Sequence, residues 1–177
     1  EILEEPSRGL FGLIGTKDAT VRVTVVNDPV KIVKDLLDKI FLSMKIKSSC
    51  VVNREDMCLF VNITDISPSD MGIVIGKRGN TLDAIQYLLS LAINRNREDY
   101  IKEIVDIKGY RKKREETLKR LANRMAQKAR YSKKPVKLEP MNPYERRIIH
   151  SALQNVEGIT TYSEGDDPYR KVVIQAK

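Results

Sequence analysis

Two small groups of residues carry the types and spacing that chemistry needs. The first is Gly76-Lys77-Arg78-Gly79, set between the apolar Ile73-Val74-Ile75 and a helix-like pattern that starts near Thr81. Glycines at both ends remove the Cβ atoms that would keep another chain away from the backbone. Lys77 and Arg78 offer charge to an anion. Asn80 is expected to cap the next helix, with Asp83 three residues on, so that the helix's free N–H groups point at the same place. The second group is Arg146 and His150, four residues apart and therefore neighbours on one helix face. Both side chains can donate to phosphate, arginine as a fork and histidine through a ring N–H.

The glycine group admits three readings. A nucleotide phosphate loop needs G-x-x-x-x-G-K followed by Ser or Thr. Counting back from Gly76 places Met71 where the first glycine belongs, and Arg78 stands where the magnesium-binding hydroxyl should be. An ordinary turn needs one glycine and neither cation. A clamp for a nucleic-acid backbone uses every feature of the stretch. Arg146 and His150 suggest no catalysis: no nucleophile, second base or metal cluster stands near them. On the helical wheel they fall about 90–130° from the centre of the apolar stripe Ile148, Ile149, Ala152, Leu153 and Val156. That places them at its solvent-exposed border. His150 is the only histidine, and Cys50 and Cys58 are the only cysteines. No zinc set and no disulfide framework can be built from these three, no cofactor is expected, and the two thiols are expected to be reduced.

The elements around these groups follow from periodicity. Asp28 and Pro29 open a helix of about 16 residues with Ile32, Val33, Leu36, Leu37, Ile40 and Phe41 at helical spacing. Residues 49–64 read as a hairpin, in which Cys50 and Cys58 could face each other. A short helix and the glycine loop follow, then a helix from Thr81 to about Asn94, then a strand over 101–107. Gly109 and Tyr110 lead into a basic helix whose narrow apolar stripe is Leu118, Leu121, Ala122, Met125 and Ala129. A short strand in "PVKLEP" precedes a helix capped by Asn142, with Pro143 first and Glu145 third. "ITTYS" and "RKVVIQA" close the chain as a hairpin. Ahead of all this, Gly9, Gly12 and Gly15 suggest tight turns, and Val21, Val23 and Val25 alternate as in a strand.

The chain has 177 residues and a formal net charge of +8. Residues 108–134 hold 12 basic and 2 acidic groups, whereas residues 29–107 and 135–177 are each neutral. A positive stripe so concentrated is an electrostatic footprint for a polyanion. No apolar run approaches the roughly 18 residues of a membrane span, and no secretory signal is visible.

"IVIGKRGNTLDAI" resembles the core of a KH domain, and a helix and two strands ahead of the G-x-x-G unit resemble the type II arrangement. In that family the loop clamps about four nucleotides of single-stranded RNA or DNA. "MNPYERRIIHSALQ", followed by "YSEG" and "PYRKVVI", is similar to the R-three-H domain, a small module that binds single-stranded nucleic acid. Together the two resemble the Jag, or SpoIIIJ-associated, family. The resemblance implies an α+β fold: the last part of a Jag N-terminal domain over 1–28, whose beginning the non-Met start suggests is missing, a type II KH domain over 29–108, and an R-three-H domain over 109–177. It implies nucleic-acid contacts at Gly76, Lys77, Arg78, Gly79, Arg111, Arg114, Arg146, His150 and Arg170. It further implies a cytoplasmic bacterial RNA binder tied to cell elongation, envelope growth and sporulation, with a small single-KH protein as partner. KH sheets and helices can form a homodimer, and the partial N-terminal piece could cross over to a second chain.

Two rivals come from other classes. One is an adaptor that meets anionic lipid or an acidic protein through the basic helix. The other is a nuclease or ATPase, which lacks a metal site or phosphate loop. As two modules in series, the sites would be separated by a helix of about 30 Å per 20 residues and would add affinity through effective concentration.

Overall fold

The computed structural model describes residues 2–6, 17–22 and 27–177. Asp28 accepts from the Val30 N–H at 3.0 Å and Pro29 takes the first helical position, which starts α1 (Pro29–Ser43). Two strands in a hairpin, β3 (Ser49–Glu55) and β4 (Cys58–Thr64), follow β1 (Ile2–Glu4) and β2 (Thr20–Val21), which pair antiparallel. Gly9, Gly12, Gly15, Val23 and Val25 lie outside the described residues.

Strand β5 (Lys102–Ile107) runs parallel to β4. Parallel neighbours need a crossover connection. Here that connection is α2 (Pro68–Ile75), one 3-10 turn over Lys77–Gly79, and α3 (Asn80–Asn94). The sheet order β3-β4-β5, with α1, β3 and β4 ahead of the glycine loop, is the type II KH arrangement. Val33, Leu37 and Phe41 of α1 and Leu82, Ile85, Leu89 and Ile93 of α3 bury one sheet face through Leu59, Val61, Ile63, Val105 and Ile107. Val51 and Phe60 on the other face remain exposed, as strand alternation requires. The cysteines do not oppose each other: Cys50 pairs with Ile63, Cys58 pairs with Glu55, and both thiols are free.

The second core is built from α4 (Tyr110–Ser132), α5 (Pro143–Leu153) and a sheet of order β6-β8-β7, from β6 (Val136–Lys137), β7 (Ile159–Glu164) and β8 (Lys171–Ala176). Asn142 caps α5, accepting from the Glu145 N–H at 2.8 Å. Leu118, Ala122, Ala126 and Ala129 of α4 pack on Ile148, Ile149, Leu153, Val172 and Ile174. Three alanines in the stripe let α4 lie close to its neighbours. The fold as a whole is α+β.

Two sequence expectations are corrected. Asn80 is the first residue of α3; the capping position falls to Gly79, which offers no side chain. The modules are not held apart by the length of α4. That helix folds back along the second core, and the glycine loop of the first module touches the second directly.

Candidate nucleic-acid interface

The glycine loop reverses the chain within four residues. Gly76 (φ +71°), Arg78 (φ +61°) and Gly79 (φ +88°) all occupy left-handed or related backbone that L side chains avoid. A Cβ on Gly76 would sit 2.1 Å from Thr81 Oγ1, and one on Gly79 would sit 3.0 Å from the Tyr110 ring. The glycines are therefore demanded by the loop's close fit to Thr81 and Tyr110, and Gly79 is itself buried. Lys77 stands exposed at the tip, with no side-chain ion pair or hydrogen bond among the described residues.

Arg78 turns the other way. Its guanidinium donates to the Pro140 carbonyl at 3.0 Å and pairs with the Glu139 carboxylate, in the connection between β6 and α5. Beside it, Asp83 in the first turn of α3 receives Arg111 Nη1 at 2.8 Å and Asn142 Nδ2 at 3.3 Å. One carboxylate thus ties α3, α4 and the cap of α5 together.

Arg111 and Arg114, both expected at phosphate, direct their donors inward. Arg111 Nε reaches the Val105 carbonyl at 2.7 Å and Nη2 reaches Gln86 Oε1 at 2.9 Å, while Gln86 Oε1 also accepts from the Val105 N–H at 3.0 Å. These bonds seal the outer edge of β5 against further strand pairing. Arg114 Nε donates to the buried Glu145 at 2.7 Å.

Arg146 is less exposed than its place on the wheel predicts, at 12% of its side chain. Nη1 reaches Ser163 Oγ at 3.4 Å and Nη2 lies 3.5 Å from Asp167 Oδ1. Its Nε is buried without a partner among the described residues. His150 is clasped by hydroxyls, Nδ1 to Thr161 at 2.7 Å and Nε2 to Ser163 at 2.9 Å. Burial, and then the neighbouring Arg146 charge, push the imidazole pKa down. The shift favours the neutral ring, in which one nitrogen donates and the other accepts. Arg170 donates to the Gly165 carbonyl at 2.6 Å and closes the turn between β7 and β8. The structure brings Arg146 and His150 together around Ser163, and it brings Arg78, Arg111 and Arg114 together at the module junction.

Three family models match in succession: the Jag N-terminus over residues 1–25, the KhpA/KhpB KH domain over 30–104, and the R-three-H domain over 116–176. The RNA-binding protein KhpB of Clostridium symbiosum is 42% identical over 181 residues, covering 100% of this chain and 79% of that protein. The protein of the same name from Bacillus subtilis (strain 168) is 36% identical over 178 residues, covering 99% of this chain and 84% of its own. The chain belongs to the KhpB, or Jag, family.

Within that frame, Arg146, His150 and Arg170 fall in the R-three-H match and the glycine loop in the KH match. Arg111 and Arg114 fall in the stretch between the two matches, at the start of α4. The cations that α4 does present to solvent are others. Lys113, Arg120 and Arg124 lie within a sector of roughly 40° on the wheel. That sector is opposite the buried stripe, and all three side chains are exposed. The sequence puts them on the basic helix without separating them from Arg111 and Arg114, although the phase of Leu118 and Ala122 already placed them on the outer face. No helix among the described residues is long and apolar enough to cross a membrane.

Proposed function

We propose that this protein binds single-stranded RNA, holding the backbone at the glycine loop and flanking phosphates on the R-three-H face. The observation that carries this reading is Lys77: an exposed cation, unpaired among the described residues, on a loop of left-handed backbone at the N-terminus of α3. That is the geometry in which main-chain N–H groups and a cation can meet one phosphate together. Gly76 and Gly79 shape the loop. Arg78 supplies donors beside it, and Arg146, His150 and Arg170 supply donors on the R-three-H face. Arg111 and Arg114 serve by fixing the frame, and Lys113, Arg120 and Arg124 extend the positive surface. Two relatives carry the name RNA-binding protein KhpB, which supports the same reading. Binding without turnover, in the bacterial cytoplasm, is the form it takes. A link to cell elongation, envelope growth or sporulation and a small single-KH protein partner extend the proposal by family resemblance.

The test is fluorescence anisotropy on a labelled single-stranded RNA across a salt series. Log affinity should fall by about 0.7 per phosphate contact for each log unit of salt. Lys77→Asp should weaken binding in a chain that remains folded. Affinity that ignores salt, or a folded Lys77→Asp protein that binds as well as the parent, refutes the proposal. Co-sedimentation with anionic vesicles in the absence of RNA would favour the membrane-surface adaptor instead.

A further inference from the structure

A cleft of about 570 Å³ opens where the two modules meet. Lys77 and Arg78 of the glycine loop and Asn80 of α3 line one wall, and Glu139, Pro140 and Tyr169 of the second module line the other. Its size falls in the range of small-ligand sites. Three features of its walls bear on what it could hold. Lys77 is unpaired. Tyr169 is 76% exposed, although its own backbone is held by an N–H bond to the Asp166 carbonyl at 2.8 Å. Glu139 is 73% exposed, yet its carboxylate sits on Arg78 beside the Pro140 carbonyl. Two oxygen acceptors thus converge on one guanidinium at the mouth of the cleft, as the oxygens of a phosphate would.

We propose that this junction cleft holds one further nucleotide of the bound strand, its phosphate displacing the Glu139 carboxylate from Arg78 and its base lying on the Tyr169 ring. The site rests on the RNA-binding reading above and extends it. The strand would pass from the glycine loop into the cleft, so the two modules read one continuous path. An exposed, backbone-anchored tyrosine suits base stacking, which is tolerant of sequence because every base has a π-face. Arg78 suits the exchange because a guanidinium fork accepts carboxylate and phosphate with the same geometry. Glu139 acts as an internal competitor that keeps the fork aligned in the free protein.

The experiment uses the whole chain and a labelled single-stranded RNA of about ten nucleotides, longer than the roughly four that a KH loop holds. Tyr169→Ala should weaken binding about 10-fold, in line with the loss of one stacked base, and Tyr169→Phe should restore it. Glu139→Gln should tighten binding at least 3-fold, and this gain should vanish in an Arg78→Gln background. RNA carrying 5-iodouridine should crosslink to the peptide that contains Tyr169. Both side chains are largely exposed, so the variants should keep the fold. If Tyr169→Ala and Glu139→Gln bind as the parent does while Lys77→Asp still weakens binding, the junction site is wrong and the RNA-binding reading stands. If Lys77→Asp also has no effect, both fall.

Discussion

Arg78, at the left-handed bend of the glycine loop, is joined to Glu139 and to the carbonyl of Pro140, 62 residues further along the chain. The KH loop is therefore part of the interface between modules as well as a free tip. The contact is partly solvated, with Arg78 at 30% and Glu139 at 73% exposure. Such a pair contributes at most about 1 kcal/mol to folding. Arg78→Gln should thus lower the urea midpoint only slightly. Its effect on RNA affinity should be several-fold larger in free-energy terms, and comparing urea unfolding with anisotropy on one preparation checks this.

Glu145 behaves differently because it is buried and receives Arg114 at 2.7 Å. Removing one partner leaves the other charge without compensation. Arg114 keeps 24% of its side chain exposed, which softens the penalty. Glu145→Ala should cost about 2–4 kcal/mol in urea unfolding. Glu145→Gln, which keeps an acceptor for Arg114 Nε, should cost less. Equal losses for the two variants would contradict the pairing.

The glycines separate by environment. Gly72 lies inside α2 with nothing within 4 Å of an added Cβ, and Gly76 has Thr81 Oγ1 at 2.1 Å from one. Gly72→Ala should stabilise the protein by about 0.5–1 kcal/mol through helix propensity. Gly76→Ala should destabilise it by at least about 1 kcal/mol, since a left-handed φ and a clash add. Thr81→Ala should relieve part of that loss in the double variant, and thermal or urea unfolding reads all three.

His150 is the only histidine, so its proton resonance can be assigned without ambiguity. Its pKa is lowered in the folded state, by burial first and by Arg146 second. The folded protein therefore prefers the neutral ring. This preference stabilises the fold fully above the unfolded value of about 6.5. It is lost as pH falls through that value toward the lower folded one. A free-protein NMR titration should show a midpoint below about 6.5. Bound phosphate favours imidazolium, so RNA should raise the midpoint and affinity should increase as the pH drops into that window. A midpoint at or above the ordinary value would overturn this account.

Much of the local structure could be read from the chain. Asp28 with Pro29 and Asn142 with Pro143 announced two helix starts, and the hairpin, α3 and the final strands followed from period alone. The exception is Asn80, where a good capping residue falls one position inside the helix because Gly79 completes the reversal. Local signals succeed because caps and periods involve atoms only a few residues apart.

The glycine loop, the basic stretch at 108–134 and the Arg146–His150 spacing were all determined by the sequence alone. Which cations are free to meet a ligand was decided only by the tertiary structure. Arg111 and Lys113 look alike in the chain, yet Arg111 is bound to Asp83, Gln86 and the Val105 carbonyl while Lys113 faces water. Arg78 and Lys77 are adjacent, yet one is held by Glu139 and the other is not. The reason is physical: a charged side chain's partners are set by which distant acceptors folding brings within about 3–4 Å, and strand and helix periods carry no information about those distances.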